Sequence, residues 1–576
     1  MWAIVVRMNI ESLANEILLD QFDYFDGIDL FHTFYGLNTR FNLLICKQYP
    51  LHWFRFCGMK KSQFDEICQQ HIPRLTNRVY GLSCAEDNWN PGQMDLFFTY
   101  IPSFEQFSGL RSLSLQNITS SKTLIKVIQE LPYLLNLMHL TINFYYIQEH
   151  LIDFQWMHDT IWSLPKLRIC SLTNFTIVSG KFCIPTKISS SLQSVKLIGF
   201  YFHVDQIDQL MKNTPHLKHL LIYTKISSAM NDDYNLPSLS TLINLDMFVS
   251  HIFDLSKMVL FLKNLSNLRH LNIRFSKNMI NGYQWEQIIR SYLFKLKVFE
   301  LDMHDDIPTN QNIEDYMNQL LDSFQSSFWI NEHQWFIHCY IVDRTIRLFT
   351  SSKFPSYYPE QKLPRIWKST NPKDTQQDLY RSITMINENF FEQPMPSDIC
   401  LSRIDYITIK FPLHDQIWSA ISNFNCLHAV SVLSYSDAYQ SELQSLFDRA
   451  PKLHYLNINQ DYSLPLQTSL FKCIKPSIHS LICFKMNHCL NEEECLLFCD
   501  SPLGMQCQTG SFNVKNRHCI ANLVKNMINL QALHIYCQEK LKENRVEVIE
   551  WLKDSLPSTC FVTKDPDSTN AIRIWM

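Results

Sequence analysis

A hexamer of the form Leu-x-x-Leu-x-Leu, with other apolar residues substituting for leucine, returns along this chain roughly every 26 residues. It begins at Leu110 (LRSLSL), Leu137 (LMHLTI), Leu167 (LRICSL), Leu192 (LQSVKL), Leu217 (LKHLLI), Leu242 (LINLDM), Leu268 (LRHLNI) and Leu296 (LKVFEL). Successive starts lie 27, 30, 25, 25, 25, 26 and 28 residues apart. A second series starts at Leu427 (LHAVSV), Leu453 (LHYLNI), Ile478 (IHSLIC) and Leu530 (LQALHI), at steps of 26, 25 and 52. The last step spans two periods and places a degenerate repeat near Leu503. No other feature restricts the fold as much. A unit this short cannot bury its own apolar face, so neighbouring units must stack and share one core.

Within each hexamer the last apolar positions alternate with polar ones, the period of a half-buried strand. Between hexamers, segments such as SSKTLIKVIQELPYL (120–134) and FHVDQIDQLMKNTP (202–215) carry apolar residues at helical spacing. One strand and one helix per unit predict an α/β chain with parallel strands. The period and hexamer resemble leucine-rich repeats, which implies a strand–helix horseshoe. The Asn or Cys that usually follows three residues after the last Leu is replaced here by Ile118, Tyr145, Phe200, Lys225 and others. The resemblance is therefore to the irregular, helix-rich class of repeat.

These patterns divide the chain. Repeats are expected over 105–301 and again, with a C-terminal cap, over 404–576. Residues 51–104 read as a linker or N-terminal cap of the solenoid. Residues 302–403 interrupt the series as divergent repeats or an insert. Within them WFIHCYIV, a short turn and RTIRLFT predict an antiparallel hairpin, followed by the Pro/Tyr-rich KFPSYYPEQKLP. At the C-terminus, VEVIEWLKDSL (546–556) predicts an amphipathic helix and IRIWM a closing strand.

Composition narrows the function. The 576 residues include 11 Gly, and neither GxGxxG nor GxxxxGK[ST] occurs, so no glycine-rich phosphate loop is expected. The formal charge is −4, which offers no basic field for nucleic acid. No apolar run reaches the roughly 18 residues of a membrane span, and MWAIVVRM is too short for a secretory core. The 18 Cys show no disulfide-framework spacing, and we expect reduced thiols in a cytoplasmic or nuclear protein. GxSxG, HExxH and CxxC are absent. Asp302-Met303-His304-Asp305-Asp306 reads as a charged loop, the eight Cys from Cys473 to Cys537 as buried thiols, and Glu492–Glu494 as a solvated helix start. No cofactor, metal or catalytic residue is expected, and the chain does not read as an enzyme.

Residues 8–50 carry no repeat. Leu13, then Glu16-Ile17-Leu18, an apolar pair at Phe22 and Phe25, a turn at Asp26-Gly27, Leu30 opening a second helix, and Leu37 and Phe41 four apart resemble the F-box family pattern. Ala14 stands where that family has Pro, Gln21 where Ile is usual, and Phe41 where it has Trp. The resemblance implies three helices that dock a Skp-type adaptor through Leu13, Ile17, Leu18, Phe22, Phe25, Leu30, Leu37 and Phe41. Through the adaptor it implies a cullin scaffold and a RING subunit. A three-helix unit of this size leaves apolar surface to cover. The alternative is that it only caps the array, burying the same residues against 51–105.

Strand alternation marks the residues that face away from the leucines. They include His139, Asn143, His219, Tyr223, Phe248, His270, Arg274, Tyr455 and Tyr536, a mixed aromatic and charged set suited to a protein partner. The expectation is a target-recognition subunit of an SCF-type (Skp–cullin–F-box) ubiquitin ligase that binds an unknown target protein on the repeats, with no nucleic-acid or membrane partner. The alternative is a leucine-rich-repeat interaction scaffold without ligase attachment. A GTPase activator or enzyme built on the repeats is a third, remote class.

Overall fold

The computed structural model describes residues 10–49, 52–145, 152–174, 180–202, 204–225, 241–250, 255–277, 279–350, 366–391, 400–460, 467–483, 488–538, 541–565 and 571–576. The opening residues 1–9 and the Pro/Tyr-rich stretch 353–364 lie outside them. The chain forms two compact units, one of residues 1–196 with 213–216, the other of 197–212 with 217–576. The architecture is mixed α/β, with strand–helix units on largely parallel sheets.

In the first unit, helices Asn15–Phe22, Gly27–Phe34 and Thr39–Leu43 precede five parallel strands: His52–Arg55, Val79–Ala85, Ser112–Ile118, His139–Phe144 and Ile169–Asn174. Side-chain caps set the helix starts. The Asp26 carboxylate accepts from the Asp29 amide at 2.9 Å, and Asn38 Oδ1 accepts from the Phe41 amide at 3.1 Å. Ser120 caps helix Ser121–Glu130 in the same way, so the helix expected over 120–134 forms where its polar start lies.

The second unit repeats the plan. Strands His219–Lys225, Asn244–Ser250, His270–Ser276 and Val298–Asp306 run parallel in that order. Leucine positions stand beside leucine positions: Leu220, Leu245, Leu271 and Phe299 are in register, as are Ile222, Met247, Ile273 and Leu301. All eight are buried. Burying each such side chain contributes about 1.5–3 kcal/mol, repeated at every strand. Every apolar hexamer position in both series is buried.

Within 302–403 an insert of antiparallel strands follows the first parallel run, while strand Met385–Ile386 already belongs to the second sheet. His338–Val342 and Thr345–Phe349 form the expected hairpin, whose second strand pairs antiparallel with Val298–Asp306 and ends the parallel run. Strand Ile366–Ser369 joins the other side of the hairpin, also antiparallel. A nine-stranded sheet follows in the same unit. Its parallel strands run Met385–Ile386, Tyr406–Ile409, Ala429–Tyr435, Tyr455–Gln460, Ser480–Cys483, Thr509–Val514 and Ala532–Cys537. Antiparallel strands Ala571–Trp575 and Phe561–Lys564 close it. The terminal helix spans Leu541–Ser555 and buries Val548, Ile549 and Leu552.

Two sequence readings change. Residues 51–104 are not merely a linker or cap: they contribute two strands of the parallel sheet, with Val79, Leu82 and Cys84 buried as a hexamer would bury them. The degenerate repeat is strand Thr509–Val514, with Cys507 and Phe512 buried. Gly510 occupies its middle leucine position, because a Cβ there would lie 2.3 Å from the Phe512 ring.

Candidate protein-binding faces

The N-terminal helices divide their apolar residues between an internal core and an exposed face. Leu18, Phe22, Leu30 and Phe41 are fully buried. Phe22 and Phe41 each pack against Phe34, at ring-centroid distances of 5.3 and 5.7 Å. Leu13 is half-buried, whereas Ile17 (47%), Phe25 (36%) and Leu37 (53%) stay exposed, as do Ile10 and Leu43. The eight residues that the F-box resemblance assigned to adaptor docking therefore do not form one surface. Four hold the unit together, and Ile17, Phe25 and Leu37, with the edge of Leu13, are open to a partner. Arg40 ties the segments that carry them: its guanidinium donates to the backbone oxygens of Glu11 and Leu13 and to Asn15 Oδ1.

The same helices also cover the first strand. The Phe31 ring lies 4.4 Å from His71, 5.9 Å from His52 and 6.2 Å from Phe54. A Cβ on Gly27 would be 2.8 Å from the Phe54 ring, so helix Gly27–Phe34 sits closer than a side chain there permits. Burial pushes His52 down to about 4, which keeps it neutral in this aromatic layer.

On the first sheet of the second unit, alternation places Tyr223, Phe248 and Arg274 side by side on the face opposite the leucines. Tyr223 and Phe248 pair at 5.1 Å between ring centroids. Arg274 is exposed and makes no ion pair among the described residues. His219 and His270 flank Asn244 in a parallel row four residues earlier along the strands. The row continues through Asp302 to Phe349 and His338 of the hairpin. Asp302 takes two bonds from Arg347, Nε–Oδ1 at 2.8 Å and Nη2–Oδ2 at 2.6 Å, and Tyr340 stands at the other side of that guanidinium. Burial would lower the Arg347 pKa; the bonds and charge of Asp302, with Tyr340, outweigh it and hold it above its ordinary value. His304 is pushed down by burial and by the Arg347 charge.

The other residues expected on this face lie on other strands. His139 and Asn143 belong to the first unit, both half-buried. Tyr455 and Tyr536 lie on the nine-stranded sheet with two strands between them. Arg347, Tyr340 and His338 escaped the sequence reading, since the alternation in WFIHCYIV reveals a strand but not which strand it pairs with.

The cysteines form no disulfide among the described residues, and burial raises the thiol pKa of Cys483 and Cys507. Cys519 is instead held down to about 7 by a hydrogen bond from Cys495 and by backbone amides. Asp302 to Asp306, read from the sequence as a charged loop, are instead the end of strand Val298–Asp306, where antiparallel pairing with the hairpin holds them extended, and Asp306 accepts from Thr345 Oγ1 at 2.8 Å. No described helix is long and apolar enough to cross a membrane. Compared with protein-family models and with curated proteins, the chain matches none.

Proposed function

We propose that this chain is a target-recognition subunit of an SCF-type ubiquitin ligase, built as an F-box followed by a leucine-rich-repeat horseshoe. On this reading Leu13, Ile17, Phe25 and Leu37 dock a Skp-type adaptor, which leads to cullin and RING subunits. The outward row Tyr223–Phe248–Arg274, with His219 and His270 beside it, holds the target protein. The ligase chemistry belongs to other subunits, and this chain supplies proximity. Such a subunit works in the cytoplasm or nucleus.

The observation that carries the reading is the division of the N-terminal unit. A small helical module whose core is already filled still leaves Ile17 and Leu37 about half exposed, in the order of the F-box pattern. The test is co-purification of the full chain with a Skp-type adaptor. Wild type is expected to bind at micromolar concentration, and Ile17→Asp/Leu37→Asp to lose at least tenfold with its thermal unfolding unchanged. A folded wild-type chain that binds no adaptor would sink the proposal.

A second reading is supported by the contact of Phe31 with His71, His52 and Phe54. The helices then serve as the cap of the array, and the chain is an interaction scaffold without ligase attachment. The same experiment separates the two, since only a docking module loses a partner when exposed residues alone are changed.

A further inference from the structure

Phe349, the register partner of Asp302, is also one wall of a cavity of about 410 Å³ at the insert. That size falls within the roughly 300–1,000 Å³ of small-molecule sites. Three further rings line it: Phe336, His338 and Trp367. The His338 ring lies 5.2 Å from Phe349 at 19° and 6.2 Å from Trp367 at 35°. Trp367 is half-buried, with its inner edge packed on Tyr340, Val342 and Phe349.

Two carboxylates complete the lining, Asp374 and Asp378. Asp374 is fixed in place, accepting from Ser369 Oγ at 2.7 Å and Asn371 Nδ2 at 2.8 Å, with His338 Nδ1 at 3.5 Å. Asp378 accepts from Thr375 Oγ1 at 2.7 Å and from the Thr375 amide at 2.9 Å. Among the described residues no Lys or Arg lines the cavity; Arg381 approaches Asp378 from outside it, at 3.6 Å. Burial lowers the His338 pKa, so this ring adds no positive charge at neutral pH.

Aromatic faces carry a negative quadrupole, and a weakly hydrated cation gains from ring and carboxylate together. An anionic ligand would meet two carboxylates and, among the described residues, no cation. A metal ion would make no use of the rings, and the described residues hold no group of three His, Cys, Asp or Glu suited to one. We propose that this cavity binds an alkylammonium group, as carried by a methylated lysine side chain or by a free quaternary amine. The proposal stands independently of the ligase reading, because it rests on the insert alone.

The experiment is calorimetric titration of the full chain with three probes: choline, its neutral isostere 3,3-dimethylbutanol, and a short peptide bearing trimethyl-lysine. Choline is expected to bind at least fivefold more tightly than the isostere. A peptide tighter than choline assigns the source to a protein side chain, and equal affinity assigns it to a free amine; both support the site. Trp367→Ala and Asp374→Asn are expected to lose at least tenfold, while Trp367→Phe retains most of the binding and reports on folding. No binding of either cation to wild type, equal binding of choline and its isostere, or unchanged binding by Trp367→Ala would overturn the proposal.

Discussion

The two sheets of the second unit end in the same way and leave different surfaces. Each parallel run would expose the backbone of its last strand, an edge that invites unwanted pairing. Each is closed by antiparallel strands and an Arg–Asp pair. At the nine-stranded sheet, Asp565 has its side chain 2% exposed, accepts from Arg573 Nε at 3.0 Å and lies 2.5 Å from His534 Nε2. Trp575 on the closing strand is fully buried. At the insert, Asp302 is 15% exposed and receives Arg347, and Trp367 on the outer strand is half-buried beside a cavity. One end is sealed, and the other keeps aromatic and charged groups in reach of a partner. A closing device is thus not by itself a binding site; what distinguishes the insert is the room left beside it.

The contrast makes predictions that differ in size. Trp575→Ala should cost about 3–5 kcal/mol, as for a large aromatic removed from a filled core. Trp367→Ala, a partly exposed counterpart, should cost about 1 kcal/mol or less. Urea unfolding midpoints read both, and equal losses would erase the distinction between sealed and open ends. The carboxylates sharpen it at a smaller scale. Asp565→Ala leaves the Arg573 cation in a buried site without its partner and should cost about 3 kcal/mol. Asp302→Asn keeps one acceptor in a more hydrated place and should cost about 1–2 kcal/mol. A larger loss at Asp302 than at Asp565 would reverse the account of which end is sealed.

Much of the fold was legible, because three apolar positions per hexamer do the same physical work in every strand. The hairpin could be read from its alternation, and the closing strand from IRIWM. What escaped had lost the leucine signal: Val79, Leu82 and Cys84 spell a hexamer in which Val and Cys replace two leucines. Gly510 escaped for the opposite reason, since a neighbouring ring fills the space its side chain would need. The candidate site was legible only along single strands. Tyr223, Phe248 and Arg274 share a row because their repeats are in register. Arg347 meets Asp302 across 45 residues of chain, a distance no local pattern spans. In the N-terminal unit the apolar excess was visible, yet periodicity in such short helices could not separate Phe22, which turns inward, from Ile17, which faces out.

The central claim is that the exposed side of the N-terminal helices, and not their core, is where this chain joins a larger assembly. Hydrogen–deuterium exchange of the full chain, with and without a Skp-type adaptor, tests it most directly. The account predicts added protection over residues 10–43, with the row around Arg274 unchanged. No added protection in 10–43 at saturating adaptor, or protection confined to the repeats, would contradict it.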